Sequence, residues 1–279
     1  MNRRPVFLIC VLCFGFAFFY IPILSMIVYS FNGSRLVTVW GGFSTRWYVA
    51  LWNNRQIIDA AILSIKIAVV SATFATILGT MAGFALARFR RFRGRTLFAG
   101  LTTAPLVMPE VITGISTLML FILMARWLGW PATRGFTTVT LAHITFSMVF
   151  VATIVHARIG QADRAIEEAA MDLGSRPWQV LWDITLPTAF PAILAGWLLA
   201  FTISLDDVVI TSFTTGPGST TLPLLIWSKV KLGVTPDVNA LATLTVAVVG
   251  VGVTLAGWVM ARAERRRIED ERMAFRSND

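Results

Sequence analysis

Apolar residues arrive in this chain as long unbroken runs, separated by short polar stretches rich in arginine, glycine and proline. The runs cover about 7–31, 58–86, 97–125, 137–157, 189–213 and 239–261. Each is long enough to cross a bilayer core of about 30 Å as a helix, which takes roughly 20 residues. They are continuously apolar, whereas the strands of a membrane barrel alternate at period two, so helices are predicted. The expected architecture is all-α: a polytopic transmembrane helical bundle of six spans, with residues 1–279 forming one integral membrane domain.

One polar segment stands out, E-A-A-M-D-L-G-S-R-P-W-Q-V-L-W-D-I-T-L-P at residues 168–187. Upstream and into it, Ile159, Ala162, Ile166, Ala169, Ala170 and Leu173 recur at helical spacing, and Gly174 follows where a left-handed C-terminal cap favours glycine. Pro177 suits the first turn of a second, short helix, which Pro187 is expected to close by disfavouring helix at Leu186. Residues 158–188 therefore read as a compact amphipathic loop offered to water, a docking surface for a partner. The competing reading is a hairpin lying on lipid headgroups, a depth that Trp178 and Trp182 favour.

With 56% hydrophobic and 14% charged residues and a mean hydropathy of +0.71, the chain is too apolar for a soluble domain of 279 residues. Lys and Arg are retained on the cytoplasmic side of a membrane. Placing the amino terminus inside collects Arg3, Arg4, five arginines in 88–95, three in 158–176 and six in 262–276, sixteen basic residues against seven outside, with Lys66 within a span. Both termini are thus expected in the cytoplasm. The net charge of +9 is then topology plus attraction to anionic lipid, and no nucleic-acid partner is expected. Arg3 and Arg4 before an apolar run resemble a signal peptide, yet no small-x-small site closes the run, so an uncleaved first span is expected. Cys10 and Cys13 lie inside that span and read as packing residues.

Between the first two spans, residues 32–57 carry Trp40, Trp47, Tyr48 and Trp52, either an aromatic belt or a short outer-face helix that supports a docked protein and borders the substrate's path. Gly79 and Gly83 form a small-xxx-small face for close helix approach, and Gly250, Gly252 and Ala256 could form another. Pro105 and Pro109 predict a kink or an opening in the third span. The tail from Arg262 is expected to be a solvated, mixed-charge helical extension.

A charge in the hydrocarbon region costs at least about 2.5 kcal/mol, so each one marks a pathway or has a partner. Lys66, Glu110, Asp206 and Asp207 are the candidates, with His143 in the same layer. If the fifth span is one helix, Asp206 and Asp207 point about 100° apart, and Lys66 could pair with one of them. The surplus of acid suits a cationic substrate moving past Asp206, Asp207, Glu110, Ser204 and Trp47, with Thr202 as a further oxygen donor. A purely structural network containing neutral His143 is the alternative.

The spacing Glu168-Ala169-Ala170, three residues, Gly174, nine residues, Ile184, one residue, Leu186-Pro187 resembles the cytoplasmic loop of bacterial ATP-binding-cassette import permeases of type I. The resemblance implies that this loop is a coupling helix seated in an ATPase. The segments F-N-G-S-R-L-V-T-V-W, A-P-L-V-M-P-E-V-I-T-G, S-L-D-D-V-V-I-T-S-F-T-T-G-P-G-S-T-T-L-P and G-V-T-P-D-V-N-A-L-A-T-L resemble the membrane subunits of polyamine importers. That implies import of a polyamine, putrescine foremost, across a bacterial inner membrane. It also implies three partners: a second homologous permease in a heterodimer, a cytoplasmic ATPase dimer and a periplasmic polyamine-binding protein. Where that family has aspartate after the proline, this chain has Glu110. No G-x-x-x-x-G-K-S/T loop is present, so ATP hydrolysis is expected from another subunit, and no catalytic residue, metal site or cofactor is expected here. A type I importer for ferric ion or thiamine, a proton-coupled amine exchanger and a membrane-embedded enzyme remain as alternatives.

Overall fold

Proline decides where several of the apolar runs become separate helices. The computed structural model describes residues 4–36, 39–89, 91–233 and 235–251, with Thr254, Trp258 and Arg262. In it the third run is two helices, α4 (Arg95–Val107) and α5 (Glu110–Leu128). Pro109 pushes Met108 out of the helical region, to φ −78° and ψ 134°, and itself stays extended. Pro105 is accommodated inside α4, so the expected opening sits at the second proline alone.

The described residues fall into two compact units, Met1–Arg55 with Lys229–Asp279, and Gln56–Ser228. The first unit contains α1 (Arg4–Ser30) and α2 (Arg46–Trp52). The turn between them is organised by Asn32, whose fully buried amide donates to the carbonyls of Leu36 and Val39 and accepts from the N–H groups of Ser34 and Gly41. A buried amide with all its hydrogen bonds made fixes a loop, because any alternative leaves polar atoms unpaired. Phe31 stacks on Phe43 with ring centroids 5.2 Å apart. The same unit holds α12 (Pro236–Val251), whose Asp237 accepts from Lys229 Nζ at 2.7 Å. Beyond Val251, the sixth apolar run apart from Thr254 and Trp258, and so including Gly252 and Ala256, lies outside the described residues, as does the tail beyond Arg262.

In the second unit, α3 (Arg55–Arg88), α6 (Phe136–Gln161) and α9 (Leu186–Asp206) share one core. Small residues make it possible. A Cβ on Gly79 would stand 2.6 Å from the Met148 carbonyl oxygen and 2.7 Å from Val151 Cβ, and one on Gly83 would stand 2.7 Å from the Ala152 carbonyl. The helix expected to approach Gly79 and Gly83 is therefore α6. Ala72, Ala75, Val151, Val155 and Ala200 fill the seam and are fully buried.

The fifth run also divides. α9 ends at Asp206, Asp207 is extended at φ −64° and ψ 129°, and α10 (Val209–Thr214) starts anew. α10 packs on α5, where the Phe213 ring fills the space a side chain on Gly114 would need. α11 (Leu222–Leu232) follows. Among the described residues, five helices are long and apolar enough to cross a membrane, and Pro236–Val251 is a shorter apolar sixth.

Candidate functional site

Residues 158–188 build a solvent-facing loop from three local decisions. First, the helix expected to run unbroken from Ile159 to Leu173 is interrupted: Ala162 is extended (φ −71°, ψ 135°) and Asp163 restarts the chain as α7 (Arg164–Asp172). The Asp163 carboxylate accepts from the Ala165 N–H at 2.9 Å, satisfying a donor that a helix start leaves open. Asp163→Ala removes this bond, which costs about 1 kcal/mol of local stability. Hydrogen exchange at the first amides of α7 should speed up about fivefold, while exchange in α6 is unchanged.

Second, Gly174 stops α7 as expected. It adopts φ +93°, and the Gly174 and Ser175 N–H groups close onto the carbonyls of Met171 and Ala170 at 2.9 and 3.0 Å, a left-handed cap with paired carbonyls.

Third, Pro187 does not end the next helix. α8 (Pro177–Val180) passes into a π-turn at Leu181–Thr185 and then directly into α9, giving a continuous helical segment Pro177–Asp206. The Leu186 N–H bonds the Leu181 carbonyl, five residues back. A proline ring normally collides with the carbonyl four residues before it. The wider π-turn opens that side of the helix, so Pro187 is carried in its first turn.

The loop exposes a row of large apolar side chains: Ile166, Met171, Leu173, Trp178 and Trp182, with Leu173 at 89% and Trp182 at 63% of full exposure. Glu168, Ala169, Gly174 and Pro187 are exposed, and Ala170, Ile184 and Leu186 are half-buried. The inward contact of α7 is made by Glu167, not Glu168. Its Oε1 accepts from Arg88 Nη2 and from Thr185 Oγ1, each at 2.7 Å. No spacing or motif in the sequence singles out Glu167, Arg88 or Thr185. Two adjacent glutamates on a helix point about 100° apart, so one had to turn inward, but spacing alone does not say which.

The acidic layer is rearranged more deeply. Because the helix stops at Asp206, the two aspartates do not ride on one continuous helix, and the expected 100° fan between them does not exist. Asp207 is turned inward. It accepts from the Ile210 and Thr211 N–H groups at 3.2 and 2.7 Å, from Thr211 Oγ1 at 2.7 Å and from His143 Nε2 at 3.2 Å. It thus caps the start of α10, and its side chain is 9% exposed.

His143 Nδ1 meets Ser204 Oγ at 2.7 Å, and Ser71 Oγ donates to Ser204 at 2.9 Å. With Ser71 donating to Ser204, the Ser204 hydroxyl is free to donate to Nδ1, which leaves the proton on Nε2 to face Asp207. That order of donors requires only a neutral imidazole. Ser204 is therefore a buried member of this network.

Asp206, in contrast, is exposed, and among the described residues neither aspartate forms an ion pair with Lys66. Lys66 lines a cleft of about 520 Å³ with Gln56, Asp59, Leu63, Gly218 and Thr220. Glu110 is exposed at the first position of α5, where the positive end of the helix stabilises a carboxylate. Thr202 Oγ1 donates to the Leu198 carbonyl in its own helix. Trp47 belongs to the other unit. Its indole N–H donates to the Asn32 carbonyl at 2.7 Å, and the Arg46 guanidinium lies 4.3 Å from its ring centroid.

The chain is 53% identical to "Putrescine transport system permease protein PotI" of Escherichia coli (strain K12), over 99% of this chain and 100% of that protein. It is 44% identical to "Spermidine/putrescine transport system permease protein PotC" of the same strain, over 88% of this chain and 90% of that one. Among solved structures, a bacterial transporter that imports the acidic polysaccharide alginate superposes with a TM-score of 0.74 at 18% identity, covering 93% of this chain and 94% of that one. The inward-facing MetNI methionine transporter superposes with a TM-score of 0.60 at 14% identity, over 74% and 95%. At such identities these two establish the shared helical fold alone. Residues 75–269 match the profile described as "Binding-protein-dependent transport system inner membrane component", and the chain belongs to that family.

Proposed function

We propose that this chain is the transmembrane permease subunit of an ATP-driven importer that moves a polyamine, putrescine foremost, from periplasm to cytoplasm. The observation that carries the reading is the 53% identity, over 99% of this chain and 100% of the other, with a relative named for putrescine transport. The chain works with a second, homologous permease, a cytoplasmic ATPase dimer and a periplasmic polyamine-binding protein. It is a multi-pass protein with both termini in the cytoplasm, as the sixteen-to-seven distribution of basic residues favours. It hydrolyses no ATP and binds no cofactor of its own.

In this reading the ATPase seats the row of Leu173, Trp178 and Trp182, because an exposed apolar patch rimmed by polar residues is the usual form of a docking site. Glu168, Ala169, Ala170, Gly174, Ile184, Leu186 and Pro187 shape that element. A capped helix held in a groove moves as a rigid body, and the continuous segment Pro177–Asp206 runs from the loop to Asp206, the exposed carboxylate that meets the cation. Glu110 lies on the same route and supplies a second negative charge, while Ser204 supports the route from its buried network.

Gly174→Val tests the coupling element. A β-branched residue is strained at φ +93°, at a cost of about 1–2 kcal/mol, so putrescine uptake per ATP hydrolysed should fall about tenfold. Docking of the loaded binding protein, measured in the same vesicles, should be unchanged. Undiminished uptake per ATP in this variant contradicts the coupling assignment.

A further inference from the structure

We propose that Glu167 is a positioning residue that ties α7 to the cytoplasmic ends of α3 and α9, so that one movement of the loop reaches two spans at once. The proposal rests on the reading of residues 158–188 as the coupling loop and adds the device by which the loop grips this chain.

The geometry is a three-way tie. Glu167 Oε1 receives the Arg88 guanidinium from the last turn of α3 and the Thr185 hydroxyl from the π-turn below α9, both at 2.7 Å. A second guanidinium runs the opposite way. Arg164 Nη2, from α7, donates to the carbonyls of Ala87 and Arg88 at 3.3 and 3.1 Å, two of the acceptors that the end of α3 leaves unpaired. Thus α3 gives a cation to α7, and α7 gives one back to α3.

The tie is partly enclosed. The Arg88 and Glu167 side chains are 9% and 15% exposed, beside a cavity of about 80 Å³ lined in part by Arg158, Asp163 and Thr188. A pair of this burial resists removal of one partner, because the remaining charge is left in a poorly solvated place. The neighbouring Glu168 is exposed. The two glutamates therefore divide the work, Glu168 turned to solvent and any docked partner, Glu167 turned to the spans. Glu167 hydrogen-bonds both the end of α3 and the foot of α9 from a single side chain, so it is the point where a push on α7 becomes a displacement of both.

The test uses the full complex of both permeases, the ATPase and the binding protein in proteoliposomes, with radiolabelled putrescine and ATP as probes. Glu167→Gln keeps the shape and one acceptor oxygen but removes the charge. It is expected to co-purify with the ATPase at wild-type yield while putrescine uptake per ATP hydrolysed falls about tenfold, the range of interaction energies measured for coupled pairs. The double reversal Arg88→Glu with Glu167→Arg should recover at least about threefold over either single reversal. Should Glu167→Gln fail to accumulate in the membrane, Thr185→Val, which removes the hydroxyl and with it the bonds to Glu167 and the Val180 carbonyl, should lower uptake per ATP about threefold. Unchanged uptake per ATP in Glu167→Gln, or in Thr185→Val where that variant stands in, overturns the tie. So does a double reversal no better than the single ones. If the wild-type chain does not co-purify with an ATPase, the coupling reading itself falls, and the tie falls with it.

Discussion

Exchanging the two adjacent aspartates for asparagine, one at a time, should give opposite phenotypes. Asp206→Asn leaves a stable, membrane-inserted subunit whose cation uptake falls about tenfold to a hundredfold, the range over which a focused charge raises local substrate concentration. Asp207→Asn destabilises the subunit by about 1–3 kcal/mol, the cost of leaving buried donors poorly matched.

The difference follows from their surroundings. Asp207 accepts four hydrogen bonds, from the start of α10, Thr211 and His143, so its charge is already spent on holding α10 against the end of α9. Asp206 is exposed at the last residue of α9, so on the proposed pathway its charge is the one left for a passing ammonium group. Thermal unfolding in detergent reads the first effect, and initial uptake at matched protein amounts reads the second. Equal unfolding temperatures for the two variants, or normal uptake in Asp206→Asn, would show that the division of roles is wrong.

The second large effect concerns packing. Gly79→Leu should lower the stability of the subunit by about 3 kcal/mol or more, since overpacking a tight core forces backbone shifts. The Cβ alone would lie 2.6 Å from the Met148 carbonyl and 3.0 Å from the Ala152 nitrogen, backbone atoms of α6 that have no rotamer by which to retreat. In a bilayer such close approach of small residues is a main source of helix association. Gly100→Leu is the control, because a Cβ there meets nothing within 4 Å and the variant should unfold within about 0.5 kcal/mol of the wild type. Equal losses at the two glycines would mean that the α3 and α6 contact does not set the cost, since leucine is the better helix former at both.

Much of this was legible in the chain because it is written locally. Continuous apolar runs mark spans whatever their neighbours, Pro109 marks a break, Gly174 marks a left-handed cap, and Gly79 with Gly83 marks a close approach. What was illegible depends on contacts between distant segments or on turn geometry. Pro187 reads as a stop, and only the π-turn at Leu181–Thr185 just before it turns it into a pass. Asp163 carries a capping signal, yet the apolar period runs through it and hides the break.

Glu167 and Glu168 are indistinguishable until Arg88, 79 residues away, is placed beside one of them. Asp206 and Asp207 look equivalent until His143, 64 residues from Asp207, claims the second. Lys66 was the obvious partner by depth, but depth says nothing of which face of α3 it occupies, and it lies in the cleft with Asp59. These are the places where tertiary structure, rather than pattern, assigns a role.

The central claim is that this subunit admits a diamine only when an ATPase drives it. Its most direct test is radiolabelled putrescine uptake into proteoliposomes holding this chain with the second permease, the ATPase and the loaded binding protein, with ATP hydrolysis measured in the same sample. The account predicts putrescine-stimulated hydrolysis and uptake that disappears when the ATPase or ATP is omitted. Putrescine uptake by this chain alone, driven by a proton gradient and indifferent to ATP, would contradict it.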